Sequence, residues 1–273
     1  MTEASAELLV ELDEGVLKLT INRPDARNAL TYDLRQELVA QLQRADADLA
    51  VRCVVLTAAG DKAFCTGADL RSRPPMFPKP EGAPERAVGD TARMIATGWQ
   101  RVITSILDCS KPVIAGVNGT AAGGGLHLAL ACDLVIAADN ARFISVFVRR
   151  GIAPDAGGAY ILPRLVGLQK AKEITFFGDD IHAADAERMG LVNRVVPQAD
   201  LEKTVMEWAR RLASGPTVAI GTAKRLLNSS FDTSRAQALS DEAWGQELVG
   251  QSEDSVEGMK SFVERRDPEF KGW

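Results

Sequence analysis

Lys111-Pro112-Val113-Ile114-Ala115-Gly116-Val117-Asn118-Gly119-Thr120-Ala121-Ala122-Gly123-Gly124-Gly125-Leu126-His127-Leu128-Ala129-Leu130-Ala131-Cys132-Asp133 is the stretch on which the reading of this chain turns. An apolar, β-branched run of buried-strand length breaks into a glycine-rich turn, and the turn opens directly into an apolar helix. Three consecutive glycines at a helix start leave bare backbone N–H groups pointing outward, with the positive end of the helix dipole behind them. Such a turn is suited to holding a negatively charged oxygen.

Outward from this stretch, strands and helices alternate in both directions. Downstream, Asp133–Ala137 and Ala141–Ser145 read as short strands. Gly151-Ile152-Ala153-Pro154-Asp155-Ala156-Gly157-Gly158 is a second glycine-rich turn opening into a helix, and two helical segments then lead to a strand at Leu191–Val196. Upstream lie a helix around Thr91–Leu107 and a buried strand at Cys53–Thr57. Between them, residues 71–90 carry Arg71, Arg73 and five prolines and read as a mobile surface loop. Leu8–Leu12 and Val16–Ile21 alternate around Asp13-Glu14-Gly15 as a β-hairpin. After a proline-punctuated loop, Thr31 caps a helix marked by Leu34, Leu38, Val39, Leu42 and Leu49.

From Leu201 the pattern is helical only: Leu201–Ala213, Thr217–Leu227, a segment around Thr233–Leu248, and Asp254–Arg266. The chain therefore reads as an α/β core over residues 1–198 followed by a helical region over 199–273.

Composition narrows the function classes. The 273 residues carry a net charge of −5, so no basic excess exists for nucleic-acid binding. Asp133 interrupts the best apolar run, so no membrane span is expected. Met1–Glu7 is acidic and is not a signal peptide. The four cysteines, Cys53, Cys65, Cys109 and Cys132, have no C-x-x-C spacing and read as buried free thiols of a cytoplasmic protein. Two histidines, His127 and His182, cannot make a histidine-rich zinc site, and no metal site is expected. Gly119–Gly125 has Ala121 where a dinucleotide fingerprint needs glycine, no Gly-Lys-Ser/Thr follows, and no G-x-S-x-G elbow occurs.

Four separated stretches together resemble the enoyl-CoA hydratase/isomerase family, the crotonase superfamily. They are Asn22-Arg23-Pro24 through Asn28-Ala29-Leu30; Lys62-Ala63-Phe64-Cys65-Thr66-Gly67-Ala68-Asp69-Leu70; the triple-glycine strand–turn–helix; and Pro154-Asp155-Ala156-Gly157-Gly158 running into Leu162-Pro163-Arg164-Leu165-Val166-Gly167. Gly258–Arg266 is similar to the family's last helix. The resemblance implies a crotonase-type spiral of strand–strand–helix units, with a helical C-terminal region that builds homotrimers or dimers of trimers. It also implies an acyl-CoA substrate, in which coenzyme A belongs to the thioester and no separate cofactor is needed. The family's oxyanion hole, two backbone N–H groups clasping the thioester carbonyl, falls on Ala68 and Gly124. Contacts to coenzyme A fall on Ala26 and Arg27, on Asp69 and Leu70 near the adenine, and on Lys260 and Phe262, contributed by a neighbouring subunit.

The departures concern the reaction. Hydration needs a base to activate water and an acid to protonate carbon. The family's hydratases use two glutamates, and the matching positions here hold His127 and Phe147. One acid remains, Asp155, at the position of a catalytic aspartate in the family's dienoyl-CoA isomerases and aromatic-acyl-CoA dehalogenases. One carboxylate suffices to move a proton between two carbons, so the leading expectation is a double-bond isomerase with Asp155 as acid and base. His127 is expected neutral near its helix N-terminus, either tied to a backbone carbonyl or orienting substrate. Phe147 suggests a bulky apolar acyl group. The alternatives are a hydratase working through His127, Asp155 or both, and an acyl-CoA binder without turnover. A dehalogenase would need a histidine near residues 65–75, where none occurs.

Overall fold

The computed structural model describes residues 7–72 and 77–273. It is a mixed α/β fold built on two sheets. The hairpin β1 (Leu8–Asp13) and β2 (Val16–Ile21) turns on Glu14 and Gly15, both at positive φ. Helix α1 (Tyr32–Ala47) follows, its first turn capped by the Thr31 hydroxyl, which accepts from the Leu34 N–H at 3.1 Å. Then come β3 (Cys53–Ala58), β4 (Ala63–Cys65), α2 (Asp90–Ile95) and α3 (Arg101–Leu107). Residues 96–100 join α2 to α3 as a π-helical turn, so one wider turn interrupts the helix expected at 91–107.

The central stretch forms β5 (Val113–Val117), β6 (Thr120–Ala122) and α4 (Gly124–Leu130). After it come β7 (Leu134–Ala138), β8 (Arg142–Ile144), α5 (Gly158–Phe177), β9 (Asp180–His182), α6 (Ala183–Arg188) and β10 (Arg194–Val196). Four helices close the chain: α7 (Leu201–Ala213), α8 (Thr217–Ser229), α9 (Arg235–Gly250) and α10 (Glu253–Glu264).

The strands sort by position within each unit. One sheet runs β1-β2-β3-β5-β7-β10 and the other β4-β6-β8-β9. Each successive pair, β3β4, β5β6 and β7β8, gives its first strand to the larger sheet and its second to the smaller. A helical segment then returns the chain for the next pair. Parallel register links β3 to β5 to β7 and β4 to β6 to β8, the arrangement expected of strand–strand–helix units wound as a spiral. Asn118, between β5 and β6, holds the two sheets together by donating to the Ala58 and Gly60 carbonyls at 2.8 and 2.6 Å.

The main core packs Leu19, Ile21, Leu34, Leu38, Val54, Leu56, Ile106 and Leu128 together. On the opposite face, Val16, Val55, Ile114 and Ile136 meet Leu201, Val205 and Ala209 of α7. So although no strand follows residue 200, α7 seals the back of the larger sheet. The helices that leave the sheets begin with α8. Buried Lys224 of α8 pairs with Asp133 at 2.8 Å and donates to the Ile106 carbonyl at 2.8 Å, tying this part to the core.

One local expectation needs correction. Leu49 lies beyond the end of α1 and is 65% exposed, so it is no part of that helix's apolar face. β6 and β9 are strands of three residues each, too short to carry a visible alternation in sequence. In the segment expected to be a loop, described residues 77–89 form no helix or strand; Arg73 and its neighbours to 76 lie outside the described residues, as does most of Met1–Glu7. Among the described residues, no helix is long and apolar enough to cross a membrane.

Candidate active site

Two glycine-dependent turns meet where the ends of β4 and β6 come together. Gly67 adopts φ +97°, and a Cβ there would lie 3.2 Å from the Ala122 carbonyl and 3.5 Å from the Gly124 nitrogen. The backbone leading into Ala68 is thus in close approach to the first amide of α4. Ala68 is held by a bridge to Leu30: the Leu30 N–H donates to the Gly67 carbonyl at 2.8 Å, and the Asp69 N–H to the Leu30 carbonyl at 3.0 Å. Neither the Ala68 N–H, between these bonds, nor the Gly124 N–H, at the start of α4, has a backbone acceptor among the described residues. Amides placed in this way, one of them at a helix N-terminus, are of the kind that can receive a negatively charged oxygen.

The triple glycine is required sterically. A Cβ on Gly124 would press to 2.6 Å from the indole of Trp99, and one on Gly125 to 2.0 Å from the Cys65 carbonyl oxygen. Gly123 sits at φ +55°. Trp99, from the π-helical turn, therefore forms one wall at the start of α4, and this residue had no distinguishing mark in the sequence.

Arg23 and Asn28 fix the loop that leads to Leu30. The Asn28 amide donates to the Ala59 and Ala63 carbonyls at 3.0 and 2.7 Å. Arg23 pairs with Glu7 at 2.8 Å and with Asp69 at 2.9 Å. The Arg71 N–H, then Arg23, hold the Asp69 carboxyl below its usual range, so this carboxylate is already engaged within its own loop. Leu70 is 91% exposed. Ala26 is half-buried in a short helical turn, while exposed Arg27 lines a cavity of about 420 Å³ together with Lys62, Thr66 and Arg142. Lys260 and Phe262 are exposed on α10, which packs against α9.

His127 and Phe147 stack face to face, with ring centroids 5.3 Å apart and planes within 9°. His127 has no exposed surface. Its Nδ1 lies 2.8 Å from the Asp155 backbone carbonyl, which can only accept, so Nδ1 carries the proton and Nε2 the lone pair. Nε2 is buried without a partner among the described residues. Burial pushes the imidazole pKa down to about 4, and His127 is neutral at physiological pH. The ring also packs on Gly158, where a Cβ would lie 1.9 Å from Cε1. His127 thus fixes the turn that presents Asp155.

That turn runs from residue 154 to Gly158 and places Ala156 at φ +51° and Gly157 at φ +73°. Asp155 is half-buried, and desolvation raises its carboxyl pKa; the nearby Arg35 guanidinium works in the opposite direction. Arg35 is 7% exposed, over the rings of Tyr32 at 5.7 Å and Trp99 at 5.1 Å to their centroids. It had a detectable mark in sequence: it stands four residues before Val39 and seven before Leu42, on the buried side of α1. A half-buried carboxylate whose proton is held more tightly than usual can take a proton from carbon and return it. Cys65 is fully buried with its thiol pushed up to about 12, so it is not a nucleophile here.

The enoyl-CoA hydratase/isomerase family model matches residues 11–273. Escherichia coli 1,2-epoxyphenylacetyl-CoA isomerase is 34% identical over 97% of this chain and 98% of its own length. Crotonyl-CoA hydratase of Syntrophomonas wolfei is 38% identical over 98% of each chain. The crystal structure of an enoyl-CoA hydratase from Bacillus anthracis superposes with a TM-score of 0.89 at 34% identity, covering 98% of this chain and all of that one.

Proposed function

The chain belongs to the enoyl-CoA hydratase/isomerase family, and on that premise we propose that it moves a double bond within an acyl-CoA thioester, with Asp155 carrying the proton. The observation that carries the choice is the His127–Phe147 stack. These side chains occupy the positions of the two hydratase glutamates, and they pack on each other instead of flanking a water. A phenyl ring transfers no proton, and a fully buried imidazole whose Nδ1 is tied to a backbone carbonyl and whose pKa is pushed down to about 4 is a poor substitute for the acid and base pair that hydration needs. In the proposed reaction, the Asp155 carboxylate removes a proton from the α- or γ-carbon. The released electron pair becomes an enolate on the thioester oxygen, held by the Ala68 and Gly124 N–H groups. Asp155 then returns its proton to the other carbon. Nothing is added to or lost from the substrate, and the chemistry calls on no group beyond the thioester and this chain.

In this reading the coenzyme A phosphates lie toward Arg27, with Lys62 and Arg142 contributing positive charge in the same cavity. The pantetheine arm passes Ala26, and the adenine lies near Asp69 and exposed Leu70. Lys260 and Phe262 serve the nucleotide of a neighbouring subunit in a homotrimer or dimer of trimers. Four buried unpaired thiols suit a cytoplasmic enzyme.

The test is Asp155→Asn assayed on 3-enoyl- and dienoyl-CoA thioesters. Isomerisation should fall about a thousandfold while thioester affinity stays within about threefold of wild type. Undiminished activity in the variant removes Asp155 from the chemistry. Hydration of 2-enoyl-CoA by wild type without isomerisation points to a hydratase, and inertness across the panel to a binding protein.

A further inference from the structure

Arg35 is the one feature of the site that moving a proton leaves unexplained. Arg35 is only 7% exposed, and its Nε is sealed from solvent with no hydrogen-bond partner among the described residues. Aromatic faces and a glycine surround it. It lies over Trp99 and Tyr32, and a Cβ on Gly98 would touch its Nε at 3.6 Å. Stacking on aromatic rings recovers part of the cost of burying a cation but satisfies none of its N–H donors. Asp155 is the charge that most strongly favours the ionised guanidinium, yet the two form no ion pair. A buried cation whose Nε–H has no acceptor is costly, and such a group persists where something completes it.

Its position indicates what does. Trp99 touches Gly124, whose N–H faces the thioester oxygen in the reading above, and Arg35 lies 5.1 Å from the centre of that same indole. The guanidinium thus lies on the same indole that borders Gly124 and within electrostatic reach of Asp155, the two residues on which the proposed reaction depends. We propose that Arg35 receives an oxygen acceptor on the acyl group, so that this enzyme takes thioesters carrying a carboxylate or carbonyl oxygen beyond the reacting carbons in preference to plain hydrocarbon chains. A planar guanidinium suits this task, because its donors form a fixed fork that matches such oxygens. The inference rests on the acyl-CoA reading of the site but not on which reaction follows.

The test uses saturated thioesters, which cannot react, so that its outcome is independent of isomerase activity. Hexanoyl-CoA, adipoyl-CoA and 5-oxohexanoyl-CoA are titrated calorimetrically into wild type and Arg35→Met. Wild type should bind at least one oxygen-bearing thioester roughly tenfold more tightly than hexanoyl-CoA. Preference for adipoyl-CoA alone identifies an anionic partner, and preference for 5-oxohexanoyl-CoA a neutral one. In Arg35→Met the preference should shrink to within about threefold while hexanoyl-CoA affinity is kept. Equal or tighter binding of hexanoyl-CoA by wild type overturns the proposal, and this holds even if the variant does not fold. Uniform loss of all three ligands in a folded variant overturns it too, since that is the result of a purely structural arginine.

Discussion

At the scale of single residues, the start of α4 is set as much by what presses on it as by its own glycines. A methyl group on Gly124 would meet three ring carbons of Trp99 at 2.6–2.8 Å, so either the indole or the start of α4 must move. Misplacing a catalytic group by about 1 Å can cost on the order of a hundredfold in rate. Gly124→Ala should therefore lower kcat for isomerisation about a hundredfold, and adding Trp99→Leu should recover part of it; the double variant's kcat checks this. The need for glycine here was legible in sequence, because three glycines at a helix start have few other uses. The reason was not legible. Trp99 reaches Gly124 across 25 positions, and a tryptophan in a helix reads the same whether it packs in a core or against a catalytic amide. Asp155 was legible as the remaining acid, while Arg35, whose charge acts on it, was hidden in an amphipathic helix read only for its apolar face.

At the scale of elements, one histidine couples two helices. His127 sits in the first turn of α4, donates to the carbonyl of Asp155 ahead of α5, and packs its ring on the first residue of α5. The expectation of a neutral imidazole tied to a backbone carbonyl describes this contact. Phe147 as its stacking partner lay outside sequence reasoning, because the pairing depends on how β8 ends. The buried ring also has a thermodynamic signature. Its pKa falls to about 4 in the fold against about 6.5 when unfolded, so the unfolded chain binds the proton first as pH drops. The stability contributed by the neutral ring is complete above about pH 6.5 and is lost as pH falls toward 4, about 3 kcal/mol in all. His127→Leu removes that titration. Denaturant melts between pH 4 and 7.5 should show wild type losing stability more steeply on acidification than the variant, and parallel curves would place the acid sensitivity elsewhere.

At the scale of the whole molecule, alternation of strands and helices over residues 1–198 was readable from the residues, whereas the spiral of strand–strand–helix units came only with the family resemblance, because the second strand of a unit can be as short as three residues. The surface of the C-terminal helices was readable only as amphipathicity, which gives an apolar face but not what covers it. α9 has no buried residue, yet it carries Leu239, Trp244 and Leu248 at 58%, 72% and 59% exposure. Val256, Met259, Phe262 and Val263 of α10 are 66–81% exposed. Exposed apolar residues on two consecutive helices exceed the scattered kind that single chains tolerate, and they mark a protein–protein surface. In the proposed assembly this surface is the subunit contact, and it brings Phe262 and Lys260 to a neighbour's nucleotide. Light scattering should give a mass near 88 or 176 kDa, about three or six times the 29.3 kDa chain. Trp244→Arg combined with Val263→Asp should shift the protein to the single-chain mass. If α10 completes the neighbouring site, the dissociated chain should show a KM for thioester raised about tenfold or more, with kcat for isomerisation changed less. A dissociated chain that keeps the wild-type KM would separate assembly from substrate binding and leave Lys260 and Phe262 without a role in it.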